Sequence, residues 1–117
     1  MSGEANLVGF YFEETIIFTI LAKERDGTLL ITPATQTMTI RIADDAKSAA
    51  IYSFNTTPQI TLSDVPTAEF TIKLTAADIP LILEDTEYRY DIYTVSASLD
   101  RLHQKGGVLK LRAAVEA

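Results

Sequence analysis

Apolar and polar residues alternate with a period of two along most of the chain, and Ile, Val, Thr, Tyr and Phe fill the pattern. Their branched or planar side chains suit a pleated, half-buried surface, so the chain is predicted to be all-β. Strands are expected near 7–12, 15–23, 36–43, 49–55, 59–62, 67–74, 87–95 and 107–115, with a further short one at 29–32. The alternation is cleanest where Phe70, Ile72 and Leu74 oppose Glu69, Thr71 and Lys73. Successive strand side chains point to opposite faces, so only one of the two sets enters a core. The same rule sends Met38, Ile40 and Ile42 inward with Thr39 and Arg41 outward, and opposes Leu109, Leu111, Ala113 and Val115 to Val108, Lys110 and Arg112. One dry and one wet face belong to antiparallel sheets, whereas covered parallel sheets read as continuous apolar runs.

Turn signals separate the runs: Asp26-Gly27, Asp44 to Ser48, Ser63 to Pro66, and Gly106-Gly107 before the last strand. Glycine tolerates positive φ and short polar side chains bond to nearby backbone, so each cluster has a reason to bend. Many short strands at this spacing suggest a sandwich or barrel. One helical turn is expected at 75–79, where Thr75 caps, Asp78 bonds back and Pro80 removes the next amide donor. No linker, repeat or compositional break appears, so residues 1–117 read as a single domain.

Composition changes this picture mainly by exclusion. With 117 residues and 47% hydrophobic side chains, area scaling lets such a chain bury about two-thirds of its surface without cross-links. The absence of cysteine removes disulfides, thiolate nucleophiles and thiolate-bound zinc. A net charge of −6 argues against nucleic acid or an anionic membrane as partner. No apolar run approaches the ~18 residues of a membrane span. The first apolar stretch follows Glu13 and Glu14 where a secretory signal would want positive charge, so a soluble product is expected, with no membrane insertion.

Candidate chemistry is sparse. His103 is the single imidazole and falls in an expected 96–106 loop; no glycine-flanked serine accompanies it. It is read as an exposed loop histidine, and no enzyme activity, catalytic residue, cofactor or metal is expected. Asp44-Asp45 and the Glu84, Asp85, Glu87 group are the candidate carboxylates for calcium or a glycosidase-like pair. Neither has the alternating spacing of a calcium loop, and both read as solvated turn charges. The N-terminal third is apolar on both faces. Either loops cover its second face, or Val8, Phe10, Phe12, Ile17 and Leu21 form part of an assembly surface.

Phe70 to Leu83, then Tyr88-Arg-Tyr-Asp-Ile92, then the Gly-Gly-Val-Leu-Lys-Leu strand together resemble the immunoglobulin-like modules of tailed-phage virion proteins. Leu74 to Asp78 match that family's turn, Tyr88, Tyr90 and Asp91 its tyrosine strand, and Gly106 or Gly107 its final glycine. Glu84 to Glu87 stand where the family usually has a glycine-containing turn, and the last strand lacks the usual Asp-Val-Thr ending. The resemblance covers about forty residues, and its motifs are structural. It implies an immunoglobulin-like antiparallel β-sandwich of seven to nine strands. A tyrosine at the start of such a strand can return its hydroxyl to upstream backbone, a corner role expected of Tyr88, with Tyr90 beside it in the core. Outward-facing Asp91 would then meet Lys110 or Arg112, and Arg89 and Tyr93 would share its face.

The function so implied is that of a non-enzymatic structural subunit of a phage or phage-like particle, in the tail or baseplate or as a neck or capsid-decoration protein. Its partners would be other virion proteins and further copies of itself, with assembly in the host cytoplasm and final residence in the virion. The alternative is an exposed adhesion module whose 24–35 and 96–106 loops bind a host-surface glycan or protein. The absence of tryptophan weakens sugar stacking as its binding mode.

Overall fold

Seven alternating segments form strands of three residues or more, and a two-residue strand precedes them. The structure, a computed structural model, describes residues 3–4, 7, 9–30, 32–45, 48–96, 98 and 100–113. In chain order the strands are β1 (Gly3–Glu4), β2 (Ile16–Leu21), β3 (Thr37–Ala43), β4 (Tyr52–Phe54), β5 (Ile60–Asp64), β6 (Glu69–Leu74), β7 (Tyr88–Val95) and β8 (Arg101–Leu109). They make two sheets, one ordered β1-β8-β7-β3-β4 and the other β2-β6-β5. Every pairing is antiparallel except that of β1, which runs parallel along β8. The division of strands is that of an immunoglobulin-like sandwich: β2, β5 and β6 pack over β3, β7 and β8, with β4 added beside β3.

The core lies where the two inner faces meet, and alternation dictates its membership. Ile40 lies opposite Ile92 and Ile42 opposite Tyr90 in one sheet; Phe18 and Ile60 flank Ile72 in the other. Ile40, Ile72, Tyr90 and Leu111 are all buried. Among the described residues, no helix is long and apolar enough to cross a membrane.

Several expectations are corrected. Among its described residues the 7–12 segment forms no strand: Leu7 and Tyr11 make isolated parallel bridges to Leu109 and Arg112. It follows the last strand in the same direction, a course that alternation alone cannot reveal. The 29–32 strand reduces to a bridge between Lys23 and Leu29, and Pro33–Thr35 is a short 3₁₀ turn. The helical turn expected at 75–79 is a single hydrogen-bonded turn from the Asp78 amide to the Thr75 carbonyl, at 2.9 Å. The Asp78 carboxylate accepts the Thr75 amide at 2.8 Å, which closes the turn and holds that carboxyl below its ordinary pKa.

The last strand shows the largest shift. It begins at Arg101, six residues before the expected 107, and only 96–100 remain as a connection. Ser96 closes that connection, its amide donating to the Asp100 carbonyl at 3.0 Å and its hydroxyl accepting the Asp100 amide at 3.2 Å. Gly106 and Gly107 consequently sit inside β8 rather than in a turn. A Cβ on Gly106 would stand 3.2 Å from both the Tyr90 carbonyl oxygen and the His103 ring, so the glycine permits close approach. Val115 lies outside the described residues.

Candidate interaction surfaces

The outer face of the β1-β8-β7-β3-β4 sheet gathers most of the charge that the sheets carry. Register places Arg41 opposite Asp91, Asp91 opposite Gly106 and Tyr93 opposite His103. Between Lys105 and His103 the register slips, leaving Gln104 as an extra residue on β8. Asp91 therefore meets Arg41 and His103, each at 3.4 Å, and not Lys110 or Arg112 as expected. Both pairs are more than a third exposed, so each contributes only a few tenths of a kcal/mol, up to about 1. His103 is thereby a strand residue, not a loop residue, although it remains exposed.

Tyr93 and Thr39 point to this outer face yet are buried. The guanidinium groups of Arg41 and Arg101 lie 5.6 and 4.7 Å from the Tyr93 ring centre, so cation–π contact covers a phenol that alternation alone would leave wet. Beside this cluster, Arg41, Arg89 and His103 rim a pocket of about 280 Å³ with small residues Ala43, Ala50 and Gly106 along it. Asp45 and Asp91 add carboxylates at its edge.

Gln104, freed by the bulge, ties the two sheets together. Its Oε1 accepts the Lys23 amide and its Nε2 donates to the Lys23 carbonyl, both at 2.9 Å. A side-chain amide so imitates a strand partner for Lys23, two residues beyond β2. Nothing in the sequence pattern singles out this glutamine, because the role depends on a bulge.

The tyrosine at the start of β7 has the geometry of a corner. Tyr88 is buried, and its hydroxyl accepts the Leu83 amide, five residues upstream, at 3.0 Å. Two residues on, where antibody domains carry a cysteine of the inter-sheet disulfide, stands buried Tyr90. Burial pushes the Tyr90 phenol pKa up to about 12. Replacing Tyr88 by Phe strands the Leu83 amide and is expected to cost about 1–2 kcal/mol. Thermal unfolding should move down by several degrees; an unchanged midpoint would remove the corner bond from the account of stability.

The 79–87 segment is held by a second hydroxyl as well. Tyr52 accepts the Leu81 amide at 2.6 Å, while Ile79 and Ile82 are buried. Leu81 and Leu83 consequently face solvent at 65% and 59% exposure, the highest among the described large apolar residues. Glu84, Asp85 and Glu87 follow, all exposed. The Asp85 amide donates to the Leu111 carbonyl at 2.7 Å, and Asp85 adopts φ 53°. Aspartate tolerates this left-handed conformation, which lets the turn close where the resembling family uses glycine.

Of the five residues considered together as an assembly surface, the four described do not share one face. Phe10 and Phe12 are partly buried and pack against the core, because their segment runs along the end of β8. Ile17 and Leu21 are exposed on the outer face of the β2-β6-β5 sheet, but Lys73 and Glu69 stand opposite them and break any apolar patch. Val8 lies outside the described residues. The Leu81 and Leu83 pair, not among those five, is the more prominent apolar surface; only the tertiary fold shows which side of the segment is buried. Among the described residues, no group of three or more His, Asp or Glu is arranged to hold a metal ion.

No family model and no curated protein matches the chain. Solved structures do match. Among them are extracellular domains 3–5 of Drosophila OTK, with 13% identity and a TM-score of 0.36 over 97% of this chain. The chain spans 33% of that structure's length.

Proposed function

We propose that the chain is a non-enzymatic packing module of a bacteriophage or phage-like particle, seated in the tail or baseplate or serving as a neck or capsid-decoration subunit. The observation that carries the packing role is the 79–87 segment, where two tyrosine hydroxyls and two buried isoleucines hold Leu81 and Leu83 out in fixed positions. An apolar pair presented on a rigid frame gains contact area with little ordering cost, which is what a docking subunit needs. The placement in a virion is supported by the sequence resemblance over the same stretch and the following tyrosine strand. The adhesion alternative is less well supported, since one of its two loops shrinks to 96–100 and is closed on itself by Ser96.

Particles released by the organism that encodes the chain provide the test. Purified particles should contain this protein in a fixed ratio to other structural proteins when digested and measured by mass spectrometry. Recovery from the cell lysate alone, with none in the particles, would overturn the placement.

A further inference from the structure

We infer that the free edge of β2 pairs antiparallel with the same edge of a second copy of this chain, joining their two three-stranded sheets into one. The inference deepens the packing role proposed above, on which its biological setting rests, and names the partner. β2 ends its sheet, with β6 on one side only. The Ala22 amide donates to the carbonyl of Ala68 opposite it, at 2.9 Å, so the even-numbered residues of this strand bond to β6. The odd-numbered residues then point their amides and carbonyls away from the sheet. Lys23 shows the consequence, since Gln104 takes both of its backbone groups. Ile17, Thr19 and Leu21 have no such cover among the described residues.

The other strands that end the sheets are blunted. β1 and β4 are two and three residues long, and β5 carries Asp64 and a register shift beside it. β2 runs six residues, Ile16–Leu21, without a charge, a proline or a register shift. Such an edge is a template for a further strand.

Register and charge select a second copy. Gln104 closes the edge at Lys23, so the open stretch from Ile17 to Leu21 is centred on Thr19. A two-fold axis at Thr19 sets Ile17 of each copy opposite Leu21 of the other and allows up to about six backbone hydrogen bonds. Ile17 and Leu21 are 53% and 43% exposed, so the pairing also buries apolar surface. It carries Glu13 and Glu14 of one copy to Lys23 and Arg25 of the other. There a groove of about 610 Å³ runs between β2 and β8, lined by Lys23, Arg25 and Lys105 with Glu24 as its one carboxylate. These three cations make no ion pair among the described residues. Asp26 is turned back onto Thr28, accepting its amide at 3.0 Å and its hydroxyl at 2.7 Å. Antiparallel pairing thus joins acid to base at both ends, whereas a parallel arrangement would oppose like charges.

Sedimentation of the purified full chain from about 10 µM to about 1 mM, at low and high salt, reads the contact directly. The wild-type protein should form dimers, less strongly at high salt. Thr19→Lys sets two ammonium groups against each other on the axis and should weaken association at least about tenfold. Glu13→Lys and Arg25→Glu each turn two attractive contacts repulsive, and each alone should weaken it about fivefold. All three positions are exposed, so the variants should keep the wild-type melting temperature. An equimolar mixture of Glu13→Lys and Arg25→Glu should recover the lost affinity, because each altered charge then meets its opposite on the other copy. A monomer at every concentration, association indifferent to Thr19→Lys, or a mixture no tighter than its separate components would each overturn the contact. A chain that stays monomeric alone yet is recovered in particles sinks only this contact. Self-association with absence from particles sinks only the virion placement.

Discussion

Replacing Ile72 by alanine should lower the unfolding free energy by about 3–4 kcal/mol, the middle of the range for a buried large-to-small change. Ile72 is fully buried on the middle strand of the β2-β6-β5 sheet, with Phe18 on one side and Ile60 on the other. Strands on both sides limit collapse into the vacated space, so the cavity term adds to the lost transfer energy. For a chain of this length the midpoint should fall by on the order of 10–20 °C in calorimetry. Ile17→Ala, on the same sheet's exposed face, provides the control and should change stability by less than about 0.5 kcal/mol. Equal losses at the two positions would mean that the β2-β6-β5 sheet does not bury its Ile72 side.

Tyr90 should make the fold sensitive to alkali. Its phenol is held up to about 12 by burial, against 10.0 for the ordinary group. Below pH 10 it is neutral in both folded and unfolded chains. Between pH 10 and 12 the unfolded chain releases the proton while the folded chain keeps it, so folding binds protons and stability falls as pH rises. Near pH 12 the loss from this group approaches about 2–3 kcal/mol, since each tenfold difference in proton affinity between the folded and unfolded chains is worth about 1.4 kcal/mol. Urea unfolding at a series of pH values should show wild-type stability declining more steeply above pH 10 than that of Tyr90→Phe. The slope difference isolates this phenol from the lysines and other tyrosines that titrate there. Parallel slopes would show that Tyr90 is not desolvated in the folded chain.

Buried tyrosines do two jobs here: Tyr88 fills core space while its hydroxyl fixes the backbone that carries Leu83, and half-buried Tyr52 does the same for Leu81. Loss of either hydroxyl should therefore loosen the exposed Leu81 and Leu83 surface along with the fold itself.

Much of the sandwich was legible in the chain because alternation is a local signal. The inward sets Met38, Ile40 and Ile42, then Phe70, Ile72 and Leu74, then Tyr88, Tyr90 and Ile92, are buried as their period requires. The Thr75 and Asp78 turn was legible for the same reason, since partners three residues apart meet whatever surrounds them. The start of β8 was misplaced because Gly106-Gly107 carries a turn's composition, and only the folded sheet shows that Gly106 admits the His103 ring and the Tyr90 carbonyl.

What the sequence by itself determined is the alternation of faces, and with it two half-buried sheets and the core they share. The tertiary structure alone decided what lies across from what: Asp91 beside Arg41 and His103, Gln104 reaching Lys23, Tyr93 covered by two arginines, and Leu81 and Leu83 turned outward. The physical reason is range. Periodicity fixes the direction of a side chain relative to its own strand, whereas one extra residue in β8 resets every partner beyond it.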